Sequence, residues 1–129
     1  MVIADTSTWI NFLRGKKDIK TDTFNNLLIN SDIVSIPVII QEVLQGFKHV
    51  GQAKAMEKEM LKLFILELDQ IPTAIESAKL YLKLRNKGIT IRKSQDVIIG
   101  YYCIHFNLPL LHSDKDFENM ARETNLKIY

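Results

Sequence analysis

The sequence has one cysteine, Cys103, which excludes an internal disulfide and a thiolate metal cage. It sits in the apolar run VIIGYYCIHF, where a buried, unreactive thiol is the expectation. Three prolines and five glycines in 129 residues are too few for a fibrous or low-complexity chain, and 47% apolar residues suffice for a packed core. No uninterrupted apolar run reaches the roughly 18 residues of a membrane span. The start, MVIADTSTWI, lacks the basic and long apolar segments of a secretory leader, and Asp5 breaks its hydrophobic stretch. A single domain over residues 1–129, cytoplasmic and with no membrane contact, is therefore expected. The sequence also lacks a P-loop, a dinucleotide glycine fingerprint and a nucleophile-elbow serine. Its three histidines, His49, His105 and His112, show no zinc spacing.

Charge is nearly balanced, with 17 basic and 15 acidic residues giving a net +2. If four of those acids share one site, the remainder carries 17 positive against 11 negative charges. A mildly basic surface around an acidic hole suits a polyanionic substrate.

The order of elements is legible. Val2 to Ala4 form an apolar run without alternation, as in a strand covered on both faces. Asp5-Thr6-Ser7 supply capping side chains for a short helix carrying Trp9, Ile10 and Leu13, which Arg14-Gly15 ends. Residues 18 to 29 predict a second helix, 33 to 36 a strand, and Pro37 the first turn of a helix running to Gln45. A helix from Gln52 carries Met56, Met60, Leu63 and Phe64 at helical spacing, before a strand near 64 to 68. The next helix opens at Pro72, with Ile75, Ala78 and Leu82 on one face. Ser94 is placed to cap a largely apolar, central helix reaching Phe106. A strand at 108 to 111, a helix from Asp114 to Thr124 and an edge strand at 126 to 129 complete the chain. Strands alternating with helices predict an α/β fold, a three-layer α/β/α domain on a mainly parallel sheet.

In such sheets ligands bind beyond the carboxyl ends of the strands. Asp5 follows the first strand and Asp114 the last, so both fall on that rim. Glu42 lies among Val38, Ile39, Ile40, Val43 and Leu44, and Asp96 directly precedes Val97-Ile98-Ile99. Carboxylates in such apolar settings need a cation or hydrogen-bond donors, although Asp96 also suits a first-turn helix position. Four carboxylates without matching histidines or cysteines favour a hard cation, Mg2+ or Mn2+, as one or two ions. The natural chemistry is metal-assisted hydrolysis of a phosphodiester.

Four segments in this order carry a family resemblance: VIADTSTWINFLRG, SIPVIIQEVLQG, GITIRKSQDVIIGYYCI and LPLLHSDKDFENM. The chain resembles, over nearly its whole length, PIN-domain proteins of the VapC toxin type, the ribonuclease half of a type II toxin–antitoxin pair. The resemblance implies that Asp5, Glu42 and Asp96 hold metal most directly, with Asp114 supporting and Asp116 a further contributor. Ser7 falls where the family has a hydroxyl near the site, and Thr6 either acts likewise or caps the helix. Two departures stand out. His112 replaces a frequent threonine, and Val97-Ile98-Ile99-Gly100-Tyr101-Tyr102 replaces a run of smaller residues. His112 is open to contact with a substrate phosphate or to a structural place.

Arg14, Lys16, Lys17, Arg85, Lys87, Arg92, Lys93 and Lys115 are the basic residues nearest the rim or its loops, and Arg92, Lys93 and Arg14 are the candidates for RNA phosphates. The resemblance implies an endoribonuclease acting on structured RNA, transfer RNA included. It also implies a homodimer and a small VapB-like antitoxin through which DNA is contacted indirectly. The stripe around Met56, Met60, Leu63 and Phe64 either faces the core or forms part of the antitoxin groove. A housekeeping RNA-processing nuclease and a non-catalytic binding module are the alternatives on the same fold.

Overall fold

The computed structural model describes residues 1–129 throughout. Its strands are β1 (Val2–Ala4), β2 (Ile33–Ser35), β3 (Phe64–Ile65) and β4 (Leu110–Leu111). They form one sheet in the order β3-β2-β1-β4, with every pair parallel. The helices are α1 (Thr6–Leu13), α2 (Ile19–Ile29), α3 (Pro37–Gln45), α4 (Val50–Met60), α5 (Gln70–Asn86), α6 (Ser94–Phe106) and α7 (Lys115–Arg122). The expected α/β/α architecture is therefore the observed one, and no helix is long and apolar enough to cross a membrane.

Strands β1, β2 and β4 are buried at every position, which explains their lack of alternation. From β1 the chain steps outward to β2 and β3, then returns across the sheet to place β4 beside β1. The direction of winding reverses between β1 and β4, and in such sheets this switch point, beyond the carboxyl ends of the strands, is where ligands bind. Asp5 and Asp114 flank it.

Local chemistry sets several boundaries. Gly15 takes φ +77° after α1, a conformation with little cost for glycine, and Pro37 begins α3 with its fixed φ. On α1, Trp9 packs edge-on against Phe24 of α2 with ring centres 4.7 Å apart. Helix α6 buries Asp96, Val97, Ile99, Gly100, Tyr102 and Cys103, and so occupies the central position expected of it. Burial pushes the Cys103 thiol up to about 12, which keeps it inert.

The structure corrects some details. Lys93, not Ser94, holds the N-cap position of α6, and no side chain caps that end. Residues 126–129 make a single parallel bridge, Leu110 to Ile128, rather than a strand. On α5 the buried face is Thr73, Ser77 and Leu84, while Ile75 and Leu82 are exposed. Small side chains let α5 lie close to α6, and this packing outranks the hydrophobic spacing that pointed to the opposite face. The methionine stripe divides: Met60 is fully buried, Met56 and Leu63 are half-buried, and Phe64 on the edge strand is exposed.

Gly100 is where α6 meets α7. A Cβ there would stand 2.3 Å from Met120 Sδ and 3.1 Å from its Cε. Gly100→Ala should cost about 1 kcal/mol in urea unfolding, because overpacking outweighs the gain of about 1 kcal/mol in helix propensity. A more stable variant would show that Met120 simply steps aside.

Candidate active site

Asp5 is nearly fully buried. Its amide donates to the Leu111 carbonyl at 3.0 Å, so β1 and β4 hold it directly. One carboxylate oxygen accepts the Thr8 amide at 2.9 Å and the Thr8 hydroxyl at 2.6 Å. The other accepts the Ser7 hydroxyl at 2.6 Å. Asp5 is thus the N-cap of α1 as well as a rim acid, and one geometry serves both roles. Ser7 takes the predicted contact with a carboxylate. Thr8 was not singled out by the sequence reading, although an Asp followed by Thr at the third position is a recognisable capping pattern.

Glu42 lies in the second turn of α3, half-buried, and its Oε1 accepts the Thr6 hydroxyl at 2.7 Å. Thr6 therefore ties α1 to α3, while Asp5 does the capping. Asp114 is the N-cap of α7, and its Oδ1 accepts the Asp116 amide at 2.9 Å and approaches the Arg92 guanidinium at 3.4 Å.

Asp96, in the first turn of α6, is 7% exposed, and its Oδ2 is buried without any hydrogen-bond partner. Burial, and then the charge of Asp114, push it up to about 6, with Glu42 and Asp5 adding to the rise and Lys93 opposing it. A first-turn carboxylate is ordinarily favoured by the helix dipole. Here desolvation and three neighbouring carboxylates win. The four predicted acids therefore share one electrostatic environment.

As they stand, no three Asp, Glu, His or Cys side chains converge closely enough to grip an ion. Like charges repel, and Asp5, Glu42 and Asp114 each spend lone pairs on local donors. The donor set nonetheless fits a hard divalent cation: it is all oxygen, concentrated, and includes a buried oxygen with no partner.

The basic candidates fare differently. Arg92 is committed to the acids: its Nε lies 3.2 Å from Asp116 Oδ2, which also accepts the Arg92 amide at 3.3 Å. Those contacts keep the guanidinium firmly protonated. Asp116, 8% exposed, is accordingly an anchor for the loop before α6. Lys93, close enough to Asp96 to oppose its rise, and Lys115, next to Asp114 in the chain, are exposed and form no ion pair, whereas Lys87 pairs with Glu123 beyond the far end of α7. Arg14 closes the opposite end of α1, about 13.5 Å along the helix from Asp5 at about 1.5 Å per residue. His112 is 2% exposed, with both ring nitrogens in hydrogen bonds, so it does not face a substrate. Burial, and then Lys20, hold its pKa below the usual imidazole range.

Comparison with known proteins adds independent support. The ribonuclease VapC11 of Mycobacterium tuberculosis is 28% identical over 129 residues, covering 98% of this chain and 96% of that protein. The VapC ribonuclease Mb1587 of Mycobacterium bovis matches to the same extent. Among solved structures, VapBC2 from Rickettsia felis bound to a promoter DNA fragment superposes with TM-score 0.75 at 19% identity, covering 100% of this chain and 98% of that one. FitAcB from Neisseria gonorrhoeae gives TM-score 0.74 at 18% identity, with 100% and 96% coverage. These structures share the fold. The family model for the PIN domain matches residues 2–123, from the first strand to the last helix and with all four acids inside it, and the chain belongs to the PIN domain family.

Proposed function

We propose that the protein is a metal-dependent endoribonuclease serving as the toxin of a toxin–antitoxin pair. The observation that carries this reading is Asp96, a buried carboxylate with an unpartnered oxygen, pushed up to about 6 beside three other acids. Such an arrangement is unfavourable unless a cation joins it. Asp5, Glu42 and Asp96 would hold Mg2+ or Mn2+ directly, with Asp114 supporting. When bound, such an ion supplies positive charge against the phosphodiester and lowers the pKa of water.

The chain's own residues prepare that site. Ser7 and Thr8 fix the Asp5 carboxylate, and Thr6 fixes Glu42. Arg92 holds the Asp114–Asp116 turn against the loop before α6. Lys93 and Lys115, exposed and unpaired beside Asp96 and Asp114, are suited to backbone phosphates of RNA. Recognition of structured or looped RNA, transfer RNA among the candidates, would rest on shape and unpaired nucleotides.

Two apolar surfaces suit protein partners. A groove of about 650 Å³ between α1, α2 and α4 is lined by Trp9, Phe12, Leu13, Leu28, Met56 and Leu63. It is suited to an amphipathic helix of a VapB-like antitoxin, and DNA would be reached only through that partner. The exposed stripe Ile71, Ile75 and Leu82 on α5 is suited to a second copy of the chain.

Purified protein should cut cellular RNA into discrete fragments with Mg2+ or Mn2+. Cutting should stop with EDTA and fall at least about 100-fold in Asp5→Asn and Asp96→Asn. Intact RNA from metal-loaded protein would count against the nuclease reading.

Asp96 also predicts a trade of stability for activity. Its folded-state pKa is raised, so the folded protein binds the extra proton and loses stability as pH rises from about 4 to about 6. In EDTA, Asp96→Asn should melt higher than wild type at pH 7.5, with the difference vanishing near pH 4, where the wild-type carboxyl is protonated. A lower Tm at pH 7.5 would mean that Asp96 is satisfied in the metal-free protein.

A further inference from the structure

His112 occupies the turn that delivers Asp114, and its surroundings leave the ring little freedom. It is 2% exposed, with its ring centre 5.4 Å from that of Phe117. Nδ1 lies 3.1 Å from the amide nitrogen of Asp114, and Nε2 lies 3.1 Å from Glu118 Oε1. An amide can only donate, so Nδ1 accepts and carries no proton. The ring is therefore neutral, with its proton on Nε2 and donated to Glu118. The His112 carbonyl accepts from Lys20 on α2, which fixes the backbone on the other side.

These contacts place a side-chain acceptor at one residue and the amide it accepts two residues on. Ser, Thr, Asn and Asp commonly build this local turn with an oxygen. Here an aromatic nitrogen does it, and the second ring nitrogen reaches the first turn of α7 as well. Asp114, two residues on in the turn, is also the cap of that helix, with its Oδ1 on the Asp116 amide. After burial, its charge is the largest cause of the raised pKa of Asp96, so the position of its carboxylate matters to that acid.

We propose that His112 is a positioning residue for the fourth acid: Nδ1 acts as the turn-capping acceptor for the Asp114 amide and so fixes where the Asp114 carboxylate stands relative to Asp96. Glu118 selects the tautomer that makes this possible, in the way that outer partners of a metal site orient its ligands. His112 touches neither substrate nor metal. The inference rests on the metal-site reading above for its functional consequence, but not for its geometry.

Two variants separate the halves of the ring. His112→Asn keeps an acceptor near the Nδ1 position, and His112→Gln keeps a donor near Nε2 for Glu118 but withdraws the acceptor. Mn2+ affinity measured by calorimetry should stay within about threefold of wild type in the Asn variant and fall about tenfold in the Gln variant. Equal affinities in the two variants, or the larger loss in Asn, would overturn the proposal. Wild-type protein provides a test that needs neither variant nor metal. Imidazole 15N spectra should show Nδ1 unprotonated, and hydrogen exchange should show the Asp114 amide protected. A proton on Nδ1 or a freely exchanging Asp114 amide would refute the assignment. Those spectra with no Mn2+ binding in wild type would instead refute the metal-site reading while leaving the turn geometry standing.

Discussion

Negative charge gathered at one end of a parallel sheet is the constraint around which this molecule is arranged. Asp5 and Asp114 arrive there because β1 and β4 are neighbours and the direction of winding changes between them. Glu42 and Asp96 are brought in by helices that start at the same rim. The repulsion is only partly relieved by the chain itself. Hydroxyls of Ser7, Thr6 and Thr8 and the guanidinium of Arg92 attend to three of the acids, and Asp96 is left with a buried oxygen unpaired. Natural proteins tolerate such strain where function requires it.

The remaining structure can be understood as support for that strained corner. Helix α6 is buried along most of its length and packed on α5, so the backbone carrying Asp96 cannot retreat toward solvent. The Asp116 carboxylate holds the loop before α6 by the amide and guanidinium of Arg92. His112, gripped by Phe117, Glu118 and the Asp114 amide, stabilises the turn into α7. Rigid surroundings hold the backbone that carries the acids, and closing their side chains on an ion would require small movements.

Much of this was legible in the residues. Apolar runs without alternation, separated by capping and proline signals, gave the parallel sheet and the order of its helices. The rim rule then placed Asp5 and Asp114, and the apolar settings of Glu42 and Asp96 marked them as costly. What was not legible depended on neighbours distant in sequence. The buried face of α5 is set by Thr73 and Ser77, whose small side chains, and not the apolar Ile75 and Leu82, allow close approach to α6. Arg92 looked like a free phosphate ligand because Asp114 and Asp116 are more than twenty residues away in sequence. The orientation of His112, and the split of the methionine stripe between core and groove, likewise follow only from packing.

The central claim is that Asp5, Glu42, Asp96 and Asp114 act as one cation-binding unit. Titration of isotopically labelled, metal-free protein with paramagnetic Mn2+ at pH 7.5 tests it most directly. The account predicts that the resonances of these four residues, from four separate parts of the chain, broaden together at the lowest ion concentrations while exposed acids such as Glu59 and Glu76 remain sharp. Broadening that begins at such surface acids, or reaches only one of the four, would contradict it.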